Sequence, residues 1–554
     1  LIARQGKALG PEERQRLERA ILAGAERDAK KTEESVLDVR GVWVRLAKLR
    51  DSGASLGVDA RQVLEGLEKA NTWLRVAPQK REEFLSWMHG TGDPDFESQR
   101  RIDVAPRSRA ELVDWLCRRA VPDEDWIEET TWPAVCVEEP RLALHALSDC
   151  AKLDVWPTGE WGEALYAWLD QRVRWLAWRR LAHSILAMPP GARGKTESAV
   201  AFFVRRLADE VGAFQDTRNR RDAFVAVCLR LIAESESSGQ MVGDFVGRAI
   251  NHPLGRGIEA LTNLWLQERA EGQDLPEDAW KLLSRVCHGT DAKYQNGRVI
   301  LASRIASLYR VNSPWCVEHL VPRFSWEESE VEAAAAWGGF LWAPQIVPGL
   351  IEELGDSLLG AARHYEALEG HHPNYCAVLV HLATRMRDVF TPERVKEALV
   401  SMPDEGRLEC VQALARTLDA KNDDERGERW EALVRPFWQD VWPKDAQPSS
   451  KLAQVLARVA IKSGSRFPQA LEELRPWLQA TPDAFFVAHQ LHESELITKF
   501  PQAALELLDV AVDGTTYLGK DVKACLDEIE AVDKHLRDDP RFRKLKVEVR
   551  KQGD

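Results

Sequence analysis

The sequence predicts an all-α protein, an irregular α-solenoid of stacked helical hairpins. Three observations predict it. Apolar residues recur at three- and four-residue spacing almost throughout, and strand-like alternation is scarce. Helix-start signals are frequent. An internal repeat is readable: "FPQALEEL" from Phe467 and "FPQAALELL" from Phe500, 33 residues apart. That offset lies in the range of helical-hairpin repeats, and in both copies a proline after an aromatic opens a helix.

In chain order, the first start signals are Ser108-x-x-Glu111 and, later, Ser325-x-x-Glu328, which have capping-box spacing. Thr391-Pro392 and Thr481-Pro482 place a cap residue before a proline at the first helical position. Segments of about 10 to 20 residues run between short polar links, which gives somewhat more than twenty helices. One helix is expected from about Gly159 to Ala187. On it Trp161, Trp168 and Trp175 form one stripe, and Leu165, Leu169, Val173 and Leu176 a second. So wide an apolar arc means contact on more than one side, as in a two-layer stack or an ordinary buried helix.

Three parts are expected: an N-terminal helical segment over 1–105, a central helical array over 106–320, and a Trp-rich helical domain over 321–554. The softest boundaries are "HGTGDPDFESQRRIDVAPRS" from His89, "VPRFSWEESE" from Val321 and "DDERGERW" from Asp423.

Composition narrows the functions. At 554 residues with 44% hydrophobic residues, the chain can bury a large core. Its longest apolar run, "AAAAWGGFLWA" from Ala333, is well below the roughly 18 residues that span a bilayer. No secretory signal opens it, so a cytoplasmic protein without membrane contact is expected. The chain starts at Leu1 rather than Met, which suggests a processed chain or a fragment with a part before it. Net charge is −13, which argues against broad nucleic-acid binding. Two basic spots, Arg218 to Arg221 and "RFRKLKVEVRK" from Arg541, read as solvated helix faces. The nine cysteines form no Cys-x-x-Cys pair and read as buried thiols of a reducing compartment. Tryptophan is the outlier, with 21 copies, and suits broad contacts between helix layers.

Candidate chemistry is thin. Gly194-Lys195-Thr196 has the ending of a phosphate loop, but Pro189 stands where the first glycine belongs, and no strand precedes it. It reads as a connection in which Pro189-Pro190 stops one helix and Thr196 caps the next. His364, His371, His372, Cys376 and His381 are the densest group of metal-type ligands, without any familiar zinc spacing. Cys287-His288 are neighbours in sequence, which does not make a nucleophile and base. Glu327, Glu328 and Glu330 fit the first turn of a helix. No catalytic, cofactor-binding or metal-binding residue is assigned.

The Trp-rich region carries a resemblance. "FSWEESEVEAAAAWGGFLWAPQIVPGLIEEL", Phe324 to Leu354, resembles a helical domain of unknown function at the C-terminal end of bacterial sirtuin-like proteins. "RPFWQDVWPKD" from Arg435 and "LRDDPRFRKL" from Leu536 fit the same pattern. "LGPEERQRLERAILAG" from Leu9 and "KREEFLSWMHGTGD" from Lys80 resemble segments between the sirtuin-like domain and that helical domain.

The resemblance implies a role in anti-phage defence. In that family the sirtuin-like domain hydrolyses NAD, and depletion arrests the infected cell. The helical remainder would sense infection or hold the assembly. The dinucleotide loop, the Asn-x-Asp element and the catalytic histidine of a sirtuin-type domain are not found, and His89-Gly90 ends a helical segment. The expectation is therefore a non-catalytic sensor or scaffold whose NAD-hydrolysing domain would precede Leu1, with no cofactor of its own. Its partners would be proteins: a phage protein, its own effector domain, or further copies of itself. Trp326, Trp337, Phe340, Trp342, Trp438 and Trp442 are the expected interaction or packing residues. Rival readings are a stand-alone helical-repeat scaffold, an enzyme with a site assembled from scattered residues, and a nucleic-acid-binding array.

Overall fold

The computed structural model describes residues 9–28, 42–43, 45–50, 53–70, 101–103, 105–119, 129–169, 177–209, 218–236, 243–270, 272–444, 449–512 and 519–553. The "KREEFLSWMHGTGD" stretch, the His89–Gly90 pair, and Val173, Trp175 and Leu176 lie outside these residues. Among the described residues the chain is all-helical apart from a short parallel pairing of Arg101–Asp103 with Glu129–Thr130. It forms two compact units, Leu1–Ser235 and Glu236–Asp554. Their border falls inside the expected central array.

In the first unit, Ile21, Trp43, Leu46, Leu49 and Leu64 build a small core, and Glu18 accepts from the backbone N–H of Gly57 at 3.1 Å. Further along, the helix Arg109–Arg119 packs on Pro140–Lys152, and Thr158–Ala167 on Pro190–Ala208. At Ser108 half of the capping box forms: Glu111 N donates to Ser108 Oγ at 3.4 Å, while the Glu111 carboxylate accepts from the Ser108 hydroxyl at 2.8 Å and not from its backbone N–H. Tryptophans join the layers. Trp132, Trp168 and Trp178 are fully buried, and each indole N–H donates to a distant backbone carbonyl, on Glu160, Cys136 and Arg220 respectively, at 2.8 to 3.0 Å.

Two expectations are corrected here. The segment from Gly159 does not run on as one helix: it ends at Ala167, turns at Trp168 and Leu169, and a separate helix covers Trp178–Ala187. Thr196 does not cap a helix. The helix starts at Pro190, so Gly194, Lys195 and Thr196 are interior, and the buried Thr196 hydroxyl donates to Ala192 O at 3.0 Å. Proline at the first helical position outweighed the later threonine as a start signal.

The second unit is a two-layer stack. One layer runs Lys293–Ser303, Glu330–Trp342, His372–Arg385, Asp404–Thr417, Ser450–Lys462, Ala484–His492 and Gly519–Val532, each packed on the next. In the other layer, Pro348–Gly360 meets Pro392–Ser401, and Phe467–Leu474 meets Pro501–Ala511. That is the solenoid arrangement, in which each hairpin covers the apolar face of its neighbour. The repeat read from sequence sits in this layer: both copies begin helices, and the rings of Phe467 and Phe500 lie 6.5 Å apart.

The Ala-rich helix Glu330–Trp342 is buried from Ala333 to Leu341. At Gly339 its backbone approaches its neighbour so closely that a Cβ would stand 2.3 Å from Val299 O, so only glycine fits. Its cap is Ser329, whose Oγ accepts from Glu332 N, and not Ser325. "SWEESEVE" contains two consecutive Ser-x-x-Glu frames, Ser325 to Glu328 and Ser329 to Glu332. The second wins because only its helix feeds the apolar Ala333 to Ala336 run into the core. Similarly, Thr481-Pro482 precedes its helix by one further residue, with Asp483 at the cap position of Ala484–His492.

Candidate interaction surface

The six expected residues divide sharply. Trp337, Phe340, Trp438 and Trp442 are essentially fully buried and serve packing. Trp337 stands edge-on to Phe324 at 4.9 Å and donates from Nε1 to Phe324 O at 3.1 Å. Trp438 stacks on Trp442 at 4.8 Å and meets Trp477 edge-on at 5.0 Å. Lys444 lies over Trp438 and Trp477 and donates to Trp438 O at 2.6 Å, closing this group as a cation over π faces.

Trp326 and Trp342 reach the surface, one just before and one at the end of the Ala-rich helix. Trp342 is 47% exposed. Trp326 is half-buried, donates to Ser357 O at 3.0 Å, and lies flat on the ring of His364 at 4.4 Å. His364 Nδ1 is 2.8 Å from Glu330 Oε1. Glu327 and Glu328 are exposed beside it. An indole face, an imidazole and three carboxylates thus share one end of the helix. From the sequence His364 reads only as a metal-type ligand, and its pairing is not legible there because Glu330 lies 34 positions away.

The other members of that histidine group point to separate partners. His372 Nε2 meets Tyr365 O at 2.8 Å, and Cys376 donates to Gly406 O at 3.5 Å. His371 lies near Gly338, Asp244 and Glu369. Among the described residues no group of three or more His, Cys, Asp or Glu side chains is placed to hold a metal ion. Cys287 is buried and its thiol is pushed up to about 12 by that burial, while the His288 ring bonds to His319 at 2.9 Å. A second aromatic run was also missed: Trp280 and Trp315 lie 4.7 Å apart, and Trp315 meets His319 at 5.3 Å.

The basic stretch from Arg541 is neutralised at several points. Arg541, Arg543, Lys544 and Lys546 pair with Asp539, Asp538, Asp509 and Glu530. Such exposed pairs add little stability, but they leave fewer free cations for a polyanion.

Burial holds His252, His371 and His381 below the usual histidine value of 6.5. For His371 the carboxylates of Asp244 and Glu369 act in the opposite direction. Such groups bind more protons when unfolded. Their stabilisation is therefore complete above 6.5 and falls as pH drops below it. The melting temperature of the second unit is expected to decline from about pH 7 to about pH 5, and His381→Gln to flatten that slope. Equal slopes in variant and parent would contradict this.

No family model matches the chain. The uncharacterized protein y4cA of Sinorhizobium fredii is 23% identical over 530 residues, a match that takes in 92% of this chain and 43% of y4cA. This chain therefore spans less than half the length of that curated relative. Among solved structures, the karyopherin Kap121p bound to the extreme C-terminus of the protein phosphatase Cdc14p is similar with a TM-score of 0.37 and 12% identity, covering 96% of this chain and 53% of that one. Kap121p bound to Nup53p gives a TM-score of 0.31 and 12% identity, covering 99% and 52%. Among the described residues, no helix is long and apolar enough to cross a membrane.

Proposed function

We propose that this chain is a helical scaffold that holds a protein partner and performs no chemistry itself. In the finer reading it is the sensor or scaffold part of an anti-phage defence protein whose effector domain depletes NAD. The partner is then a phage protein or that effector domain. The observation that carries the proposal is the division of the six expected aromatics: four join helix layers, and Trp326 and Trp342 reach the surface, one just before and one at the end of Glu330–Trp342. Trp326 is flanked by carboxylates, which suits a partner presenting cationic and apolar side chains. The motifs shared with the C-terminal region of sirtuin-like defence proteins, "FSWEESEVEAAAAWGGFLW" above all, support the finer reading.

The test is phage challenge of cells carrying the whole gene. Trp326→Ala/Trp342→Ala is expected to abolish protection and the accompanying fall in cellular NAD, with the protein's circular dichroism unchanged. Full protection by this double variant would refute the role of the surface. Protection without any change in NAD would refute the NAD reading while leaving a scaffold.

A further inference from the structure

Six of the nine cysteines lie in pairs on neighbouring helices. Cys117 and Cys150 bring their sulfurs to 3.8 Å between the helices Arg109–Arg119 and Pro140–Lys152. Cys376 and Cys410 lie near each other on His372–Arg385 and Asp404–Thr417. Cys287 and Cys316 lie near each other on Glu277–His288 and Ser313–His319. The pairs differ in access. Both members of the last two are buried, whereas Cys117 alone among the nine is partly exposed. Its partner Cys150 is buried beneath it.

We propose that Cys117 and Cys150 are a redox modification site, at which a hydroperoxide oxidises Cys117 and Cys150 resolves it as a disulfide. The exposed sulfur is the one an oxidant reaches. The Cys117 thiolate attacks one peroxide oxygen. The O–O bond breaks, the alkoxide leaves (hydroxide when the oxidant is hydrogen peroxide) and takes up the proton shed by the Cys117 thiol, and Cys117 becomes a sulfenic acid. The Cys150 sulfur then attacks the Cys117 sulfur. The S–S bond forms, the S–O bond breaks, and the departing hydroxide takes the Cys150 proton as water. Two thiols and one hydroperoxide give one disulfide, one water and one alcohol (a second water when the oxidant is hydrogen peroxide). The two sulfurs supply the two electrons.

Burial and the neighbouring Cys117 raise the Cys150 thiol, so it stays protonated and unreactive until the sulfenic acid appears beside it. From 3.8 Å the sulfurs need to close to about 2.05 Å, a shift that rotamer change at the partly exposed Cys117 can contribute. The bond would staple the two helices across 33 positions of chain.

The purified chain, treated with hydrogen peroxide, is denatured with an alkylating agent and digested without reductant. The expected product is one cross-linked peptide pair joining Cys117 to Cys150, lost on adding a thiol reductant, with Cys376, Cys410, Cys287 and Cys316 alkylated. The melting temperature of the oxidised chain is expected to exceed that of the reduced chain. In Cys150→Ser, Cys117 is expected to proceed to sulfinic acid. In Cys117→Ser, Cys150 is expected to stay alkylated. A parent map in which Cys117 and Cys150 remain separately alkylated, or in which the buried pairs cross-link as readily, would overturn the assignment without recourse to either variant.

Discussion

Trp337→Ala is expected to destabilise the second unit by about 3–5 kcal/mol, the range for removing a large aromatic from a packed core. Trp337 is fully buried, braced edge-on by Phe324 and Phe340, and its N–H satisfies Phe324 O. Truncation leaves a cavity, removes those contacts and orphans a carbonyl. The surrounding helix cannot collapse to fill the space, because at Gly339 its backbone already lies against Val299. Five residues further on, Trp342→Ala is expected to cost no more than about 1 kcal/mol, since nearly half of that residue is already in water. Chemical denaturation of the two variants reads the difference. Similar losses for both would mean that this helix is not packed as described.

Arg298→Ala should cost roughly 3 kcal/mol, the lower end for breaking a buried ion pair from one side, because Arg298 is buried while Glu332 keeps a quarter of its side chain exposed. The guanidinium makes a two-pronged contact with Glu332, at 2.7 and 2.8 Å, and also donates to the carbonyls of Val286 and Gly289 at 3.3 and 3.0 Å. One side chain of Lys293–Ser303 therefore ties the end of Glu277–His288 to the first turn of Glu330–Trp342. Its removal leaves Glu332 short of its countercharge, with Gln295 Nε2 still donating to the carboxylate at 3.0 Å. The double variant Arg298→Met/Glu332→Leu should recover part of the loss, because it removes both charges while keeping bulk. A single variant as stable as the parent would show the pair to be dispensable.

The fold class was legible because it rests on local signals. Three- and four-residue spacing, the Ser108 box and the paired Phe-Pro-Gln starts depend on residues a few positions apart. The errors lie where two local signals compete, as with Ser325 against Ser329 and Pro190 against Thr196. The candidate surface was legible only in part. Helical spacing marks Trp337 and Trp342 as apolar positions, but it cannot say which faces a second layer covers. The Glu330–His364 and Arg298–Glu332 pairs join residues 34 positions apart, across a hairpin that sequence spacing does not fold up. The thiol pairs did leave a trace. Cys117 and Cys150 are 33 positions apart and Cys376 and Cys410 are 34 (410 − 376), close to the 33-residue offset of the readable repeat.

The most direct test is to incubate the purified chain with NAD and follow NAD concentration over hours. The proposed scaffold is expected to leave NAD at the level of a protein-free control. NAD consumption that scales with chain concentration and vanishes on heat denaturation would contradict a purely binding role.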